Sequence, residues 1–169
     1  MRFIGIDPST KTGLVILEDN RVHTAIEVTS KEKRDPHRFM DIAKTMMKYI
    51  TDHDVICIEG FSYSSKGSAV SVQYGIGWIL RSELIRAGLN YHDVPPSSVK
   101  KFATGKGNAK KEDMVLPIFK RWGFEHNSDN VRDAFVLAQI AQALNGQVEL
   151  TKFQKEALIK ISSFINLGG

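Results

Sequence analysis

The hydrophobic positions near the N-terminus predict three short strands joined by polar turns. The apolar runs lie at 2–7, 14–18 and 22–29, and Asp19 and Asn20 separate the last two. Short runs bounded by Gly, Pro, Asn or Asp are typical of strands, and closely spaced runs are typical of hairpins. We therefore expect the chain to begin with a meander of three antiparallel strands.

Further along, the pattern alternates between helices and strands. Phe39, Ile42 and Met46 recur at helical spacing, whereas short apolar runs have the length of a buried strand. The predicted helices cover 38–51, 70–87, 112–122, 129–144 and 152–165, and the later predicted strands cover 55–59 and 91–94. Helical crossovers make these later strands parallel. We therefore expect an α/β fold with a mixed five-stranded sheet flanked by helices. Pro117 argues for a kink or break in its helix.

Length, charge and cysteine content indicate the number of domains, the type of binding partner and the cellular setting. The 169 residues suit a single domain, 1–169, whose last helix packs on the domain or on a partner copy. The net charge is +4 and the pI is about 9.2, which favours a nucleic-acid partner. No segment approaches the roughly 20 apolar residues of a membrane span, and the first apolar run is too short for a secretion signal. The single cysteine, Cys57, suits a reduced, cytoplasmic setting.

Acidic residues stand where predicted elements begin or end. Asp7 and Glu59 end two buried strands, and Asp129 and Asp133 share one face of a helix near its start. Asp129 also suits the helix N-cap. Clustered carboxylates repel one another unless a cation neutralises them, and hard oxygen ligands favour Mg²⁺ or Mn²⁺. Paired ions of this kind support phosphodiester hydrolysis, so the sequence predicts a metal-dependent nuclease site.

A basic stretch and two aromatic residues supply candidate contacts to DNA. Five lysines and no acid lie between positions 100 and 111, in a segment predicted as a glycine-containing loop. They are Lys100, Lys101, Lys106, Lys110 and Lys111. Such a loop suits phosphate contacts, and we favour this over a merely solvated loop because the lysines lie among acids that would otherwise repel a phosphate backbone. Phe61 and Tyr63 follow Glu59 and either stack on unpaired bases or, for Phe61, pack into the core. Trp78 either packs in the core or lies at an interface.

In this order the motifs resemble the RuvC-type Holliday junction resolvases of the ribonuclease H-like superfamily. The similarity covers about 1–146. It is carried by Ile4-Gly5-Ile6-Asp7-Pro8-Ser9 with Gly13, by Ile58-Glu59, by Asp133-Ala134-Phe135 and by the basic stretch 99–111. The resemblance implies a ribonuclease H-like sheet and a homodimeric, Mg²⁺-dependent endonuclease that cuts branched DNA such as four-way junctions. It also implies that Lys100 and Lys111 occupy functional positions and that an aromatic residue after Glu59 acts as a wedge.

The chain departs from the family pattern at one acidic position. The family usually has Asp three residues before its last Asp, where this chain has Asn130. Either Asp129 substitutes from the adjacent position, which we favour, or three acids suffice with Asn130 as a neutral ligand. A small chain with a divergent motif would suit a phage-encoded member.

Three other functions compete with junction cleavage. The same fold suits a nuclease for other structured DNA, such as forks and flaps, or for RNA. Asn130 is compatible with a junction-binding module that does not cleave. Actin-like ATPases and sugar kinases also begin with a Gly-Ile-Asp-like strand, but they need two such domains and this chain is too short.

Overall fold

The computed structural model describes residues 1–62, 67, 69–146 and 148–164, and these form six strands and six helices. The strands join into one mixed sheet in the order β3-β2-β1-β4-β5-β6. They are β1 (Arg2–Asp7), β2 (Thr12–Glu18), β3 (Arg21–Val28), β4 (Val55–Glu59), β5 (Tyr91–Val94) and β6 (Ser162–Phe164). The helices are α1 (His37–Met47), α2 (Ala69–Arg86), α3 (Pro96–Thr104), α4 (Lys111–Trp122), α5 (Asp129–Leu144) and α6 (Lys152–Leu158).

The structure confirms the predicted antiparallel meander of β1 to β3 and the predicted parallel arrangement of the later strands. Antiparallel pairing joins β1 to β2 and β2 to β3, and β1 pairs in parallel with β4, which pairs in parallel with β5. Asp19 and Asn20 form the β2–β3 turn with φ values of 50° and 62°. A two-residue turn with both φ angles positive matches the twist of a hairpin. All five predicted strands are therefore present, in the predicted α/β arrangement.

Two predictions near the second half of the chain are wrong. The basic segment is not a loop throughout, because α3 covers Pro96–Thr104 and places Lys100 and Lys101 on a helix. Pro begins this helix and Gly105, with φ 85°, ends it, which is the usual distribution of the two residues. The break expected at Pro117 is also absent, since α4 continues through it. Proline cannot donate the backbone hydrogen bond of this position, so the helix continues without it.

The last predicted helix is shorter than expected and a strand follows it. Helix α6 ends at Leu158, and residues 162–164 pair antiparallel with β5 as β6. Without this strand, β5 would leave a row of backbone groups unpaired at the edge of the sheet. Residues 162–164, predicted as helix, are therefore a sixth strand, and residue 165, where the predicted helix ended, lies outside the described residues.

Helices cover both faces of the sheet, and α5 lies unusually close to it. Helices α1 and α2 pack on one face and α3 to α6 on the other. A Cβ atom at Gly5 would lie 1.8 Å from the Ala134 carbonyl oxygen, and one at Gly13 would lie 2.1 Å from that of Asn130. Both distances are far below van der Waals contact, so these glycines let α5 rest directly on the backbone of β1 and β2. Among the described residues, no helix is long and apolar enough to cross a membrane.

Candidate active site

Asp7 and Glu59 lie side by side at the carboxyl ends of two parallel strands. The register pairs Ile6 with Ile58, so the next residue of each strand is an acid. Side chains alternate between the faces of a sheet, and this alternation turns both carboxyl groups toward α5. A side-chain hydrogen bond joins Asp7 and Glu59. The strand neighbours predicted from the two apolar runs are therefore confirmed.

Burial and repulsion raise the pKa of both acids. Asp7 is 5% exposed, and its pKa lies well above the usual value because of burial first and then the charges of Glu59 and Asp133. Burial and the charge of Asp133 raise the pKa of Glu59 from 4.5 to about 7. Like charges held together in a buried place disfavour full ionisation. Near neutral pH, the metal-free pair therefore retains a proton.

Asp133 joins the pair from the first turns of α5. It is 8% exposed, and burial raises the pKa of its carboxyl group although the nearby Lys111 lowers it. The cluster thus takes one acid from each of β1, β4 and α5. The sequence pattern predicted this set, and the structure brings its members together; their catalytic role stays a prediction.

Lys111, the first residue of α4, reaches into the acidic cluster. Its Nζ atom lies 2.5 Å from Oδ2 of Asp129 and 3.5 Å from Oδ2 of Asp133. Burial lowers the pKa of Lys111, but the hydrogen bond to Asp129 and the charges of Asp133 and Asp7 outweigh that effect and raise it overall. Lys111 is therefore a stable ammonium group that partly neutralises the carboxylates.

The two candidates for a fourth ligand have different surroundings. Asp129 is the first residue of α5 and not its N-cap, because the Ser128 side chain accepts a hydrogen bond from the Val131 backbone N–H. The hydrogen bond from Lys111 lowers the pKa of Asp129 and keeps it ionised. Asp129 is thus a charged group beside the cluster.

Asn130 is tied to the turn between β1 and β2. Its side-chain amide donates to the Ser9 hydroxyl at 3.2 Å and to the Lys11 carbonyl oxygen at 2.9 Å. These bonds join the start of α5 to the residues that follow Asp7. A carboxylate at position 130 could accept but not donate. An aspartate there could therefore not form the hydrogen bond that Asn130 donates to the Lys11 carbonyl oxygen.

The donor chemistry of the cluster fits a hard divalent cation. Asp7, Glu59 and Asp133 offer carboxylate oxygens, which are the ligands that Mg²⁺ and Mn²⁺ prefer. The pKa of each is raised first by burial and then by a neighbouring carboxylate, and a bound cation would offset both effects. Among the described residues, no three acidic, histidine or cysteine side chains are arranged as they stand to hold a metal ion. Lys111 instead supplies positive charge to the acids in this state.

The predicted DNA-contacting lysines fall into three groups. Lys111 lies in the cluster, and Lys100, on α3, is close enough to lower the pKa of Glu59. Lys106 and Lys110 are exposed in the segment between α3 and α4. Lys101 forms a 2.7 Å ion pair with Glu156 of α6, so a phosphate would have to compete with that pair.

Aromatic residues near Glu59 pack together. The Phe61 ring stacks on Tyr74 at 4.8 Å and tilts against Trp78 at 4.7 Å. Phe61 therefore has packing partners on α2, while Tyr63 lies outside the described residues. Trp78 is 60% exposed, which rules out the core position considered for it. Its indole extends to the surface because Phe61 contacts only part of it.

Arg81, which the sequence analysis passed over, lies directly behind Glu59. Its side chain is almost fully buried and donates to the Glu59 carbonyl oxygen at 2.8 Å. The signal that could have identified it is its helical spacing from the buried Leu84, three residues later, which places a charge beside a buried face. A charge in such a position requires a partner.

Comparisons with known proteins agree with the fold and the motifs. The family described as "Crossover junction endodeoxyribonuclease RuvC" matches residues 3–141. A protein of this name from Heliobacterium modesticaldum is 30% identical over 150 residues, which cover 82% of this chain and 91% of that protein. Another, from Corynebacterium glutamicum, is 29% identical over 133 residues, which cover 73% of this chain and 60% of that protein's length.

A solved structure has the same fold. "T. thermophilus RuvC in complex with Holliday junction substrate" superimposes with a TM-score of 0.60 at 20% identity, covering 89% of this chain and 99% of that one. The predicted ribonuclease H-like α/β fold is therefore confirmed.

Proposed function

We propose that this chain, which belongs to the RuvC family of crossover junction endodeoxyribonucleases, binds branched DNA and cleaves it by metal-dependent phosphodiester hydrolysis. The observation that carries the proposal is the meeting of Asp7, Glu59 and Asp133 at one place. Three acids from three separate elements, two of them buried and Glu59 partly buried, are unfavourable for the metal-free fold. Their arrangement makes sense when the cluster serves a cation and a phosphate.

Asp7, Glu59 and Asp133 would hold the metal, with Asp129 as the fourth acid. Asp129 is better suited than Asn130, whose amide is engaged with the β1–β2 turn. When bound, such ions neutralise charge on a phosphate and activate water for its hydrolysis. Mg²⁺ is the proposed ion, and Mn²⁺ should substitute for it because both favour oxygen ligands.

The chain's own basic residues would bind and orient the DNA backbone. Lys100 and Lys111 flank the acids from α3 and α4, and Lys106 and Lys110 extend the positive surface between these helices. Lysine contacts to phosphate position a duplex without reading its sequence. This arrangement suits recognition of the shape of a junction, and it leaves Lys101 to its ion pair with Glu156.

A homodimer would place two such sites on one four-way junction. Trp78 and Ile85 are exposed on α2 and are seven residues apart, so they share one helix face. Exposed apolar residues on one face favour a protein contact. Two-fold symmetry would then present equivalent sites to two opposed strands.

A cleavage assay on labelled four-way DNA tests the proposal. We expect paired nicks in opposed strands with Mg²⁺ and none with a chelator. Asp7→Asn should reduce the rate roughly a thousandfold, since several kcal/mol of metal catalysis depend on the ligand, while junction binding persists. Asp19→Asn is the matched control, because Asp19 lies in the exposed β2–β3 turn, where asparagine also accepts a positive φ.

The same assay separates the competing functions. Faster cutting of forks, flaps or structured RNA than of four-way DNA would replace the proposed substrate. Tight junction binding without metal-dependent cutting would identify a binding module. Equal cutting by wild type and Asp7→Asn would contradict the proposed site itself.

A further inference from the structure

Arg81 is a buried cation that connects three elements behind the candidate site. It is 2% exposed and lies on α2. Its guanidinium donates to Oδ2 of Asp93 at 2.9 Å, to the Gly77 carbonyl oxygen at 3.0 Å and to the Glu59 carbonyl oxygen at 2.8 Å. One side chain therefore links α2, β5 and the last residue of β4.

The charge of Arg81 is compensated by Asp93 and not by the acidic cluster. Both Nε and Nη2 of Arg81 lie 2.9 Å from the same Asp93 oxygen. A planar guanidinium with several fixed donors suits such a pair while it also binds backbone carbonyl groups. What Arg81 offers Glu59 is therefore a fixed hydrogen bond to its backbone.

The end of β4 is held from two sides. The Gly60 N–H donates to the Val94 carbonyl oxygen at 2.7 Å, and Arg81 binds the Glu59 carbonyl oxygen on the other side of the same peptide group. A Cβ atom at Gly60 would lie 2.7 Å from Oδ1 of Asp93, so the chain passes close to the ion pair. The peptide group that follows Glu59 thus has little freedom to rotate, which fixes the backbone at the residue that carries the carboxyl group.

The same guanidinium also holds the residue that follows. Its central carbon lies 4.5 Å from the centroid of the Phe61 ring, within the range of a cation–π contact. Gly77 leaves room for this ring, because a Cβ atom there would lie 2.6 Å from it. Arg81 therefore fixes the chain at Glu59 and again two residues later.

From these contacts we infer that Arg81 is a positioning residue: with Asp93, it fixes the backbone of Glu59 so that the carboxylate meets Asp7 and Asp133. The inference rests on the proposed function, since it assigns Glu59 to the metal and the phosphate. Groups that orient metal ligands without touching the metal typically change metal affinity or activity 10–100-fold when removed. Loss of Arg81 should therefore affect metal binding more than DNA binding.

The test removes both charges together, in the double variant R81M/D93N, so that no buried charge is left unpaired. Three quantities are measured: the rise in Tm caused by Mn²⁺, the cleavage rate on four-way DNA, and the junction Kd without metal. We expect the Mn²⁺-induced rise to fall by about half or more and the rate to fall about tenfold or more, with the Kd changed less than about threefold.

A second buried pair provides the matched control. At the opposite end of β1, Arg2 lies 3.5 Å from Asp54 and donates to the Tyr49 carbonyl oxygen at 2.6 Å. The variant R2M/D54N removes a second Arg–Asp pair, which is looser than the first because its facing atoms lie 3.5 Å apart, at the end of the strand away from the acids. It should lower Tm while leaving the Mn²⁺-induced rise and the cleavage rate of the folded protein at wild-type values.

The possible results distinguish the positioning role of Arg81 from a purely structural role. If R81M/D93N behaves like R2M/D54N, the positioning role is wrong. If R81M/D93N does not fold, Arg81→Lys serves instead, because a lysine can pair with Asp93 but cannot fork to the Glu59 carbonyl as well. A wild-type Mn²⁺ response in Arg81→Lys would overturn the inference. If the wild-type protein binds Mn²⁺ but cuts no DNA, the proposed function is refuted. The positioning role of Arg81 is still tested in that case, because the Mn²⁺-induced rise in Tm does not depend on cleavage.

Discussion

The two ends of the β1–β4 strand pair differ in the charges that they place next to each other. At the amino end, the Asp54 carboxylate is 1% exposed and faces Arg2, so opposite charges meet. At the carboxyl end, Asp7 and Glu59 face each other and Asp133, so like charges meet. The strands are the same, and the difference lies in which residues end them.

The two arrangements have opposite effects on the stability of the fold: the ion pair stabilises it, and the cluster of like charges destabilises it. Removing one member of a buried ion pair leaves a charge without compensation and destabilises the protein. Removing one member of a like-charge cluster relieves repulsion. An arrangement that weakens the fold is typical of functional sites, where local rules are broken for the sake of chemistry.

The largest contrast should come from one substitution at each end. Without metal at about pH 8, Asp54→Asn should lower the free energy of unfolding by about 1–3 kcal/mol, because Arg2 loses its partner. Asp7→Asn should raise it, since burial and repulsion already oppose ionisation of that carboxyl group. Denaturant unfolding measures both. The comparison would fail if the two variants changed stability in the same direction.

Lys111 should have the next largest effect, because it is the cation nearest the crowded end. Lys111→Met should lower the Tm of the metal-free protein and reduce the cleavage rate roughly tenfold, the effect of losing about 1.4 kcal/mol of transition-state stabilisation. Lys120→Met, on the exposed side of the same helix, is the control. Equal cleavage rates in the two variants would mean that Lys111 has no part in catalysis.

The pH should change stability through the same cluster. The pKa of Glu59 is about 7 in the folded protein against 4.5 ordinarily, so folding retains a proton that the unfolded chain releases. The resulting stabilisation is complete below pH 4.5 and is lost as the pH rises through 7. The Tm of the metal-free protein should therefore fall between about pH 5 and about pH 8, and Mg²⁺ should restore it at the upper value. Glu59→Gln should flatten this profile, and an unchanged slope would exclude Glu59 as its source.

The smallest effect should come from the position where the family acid is missing. Asn130→Ala should cost about 1–2 kcal/mol of stability, the ordinary value of two partly exposed hydrogen bonds to Ser9 and Lys11. Asn130→Asp should cost at least as much without metal, because it loses the same donors and adds a negative charge. If Asn130→Asp instead stabilised the metal-free protein, the amide would not be holding the turn.

The sequence predicted the elements that depend on local pattern. Alternation and turn residues identified β1 to β5, and the acids at the ends of β1 and β4 were placed together because parallel strands end at the same edge. The resemblance supplied the family and its substrate class. The strands follow from residues close together in the chain, and the meeting of the two acids follows from the geometry of parallel strands.

The features that the sequence could not supply depend on distant partners. Residues 162–164 form a strand because β5 offers an open edge, which their own apolar pattern does not reveal. Helix α3 was hidden by lysines and glycines that resemble a loop. Arg81 acquires its place only when Asp93 and Glu59, from two other strands, close around it. The proposal of Asp129 over Asn130 as fourth ligand likewise rests on contacts with Ser9 and Lys111 that the sequence does not reveal.

Gly5 and Gly13 carry no chemistry, yet the contact they permit between α5 and the sheet has a consequence for how this chain can vary. Alanine at either position would push a helix off a strand pair and separate Asp133 from Asp7. In a survey of all single substitutions, these two silent positions should tolerate change as poorly as the acids themselves. The spacing of the acids therefore depends on the absence of a methyl group at two positions that carry no functional side chain.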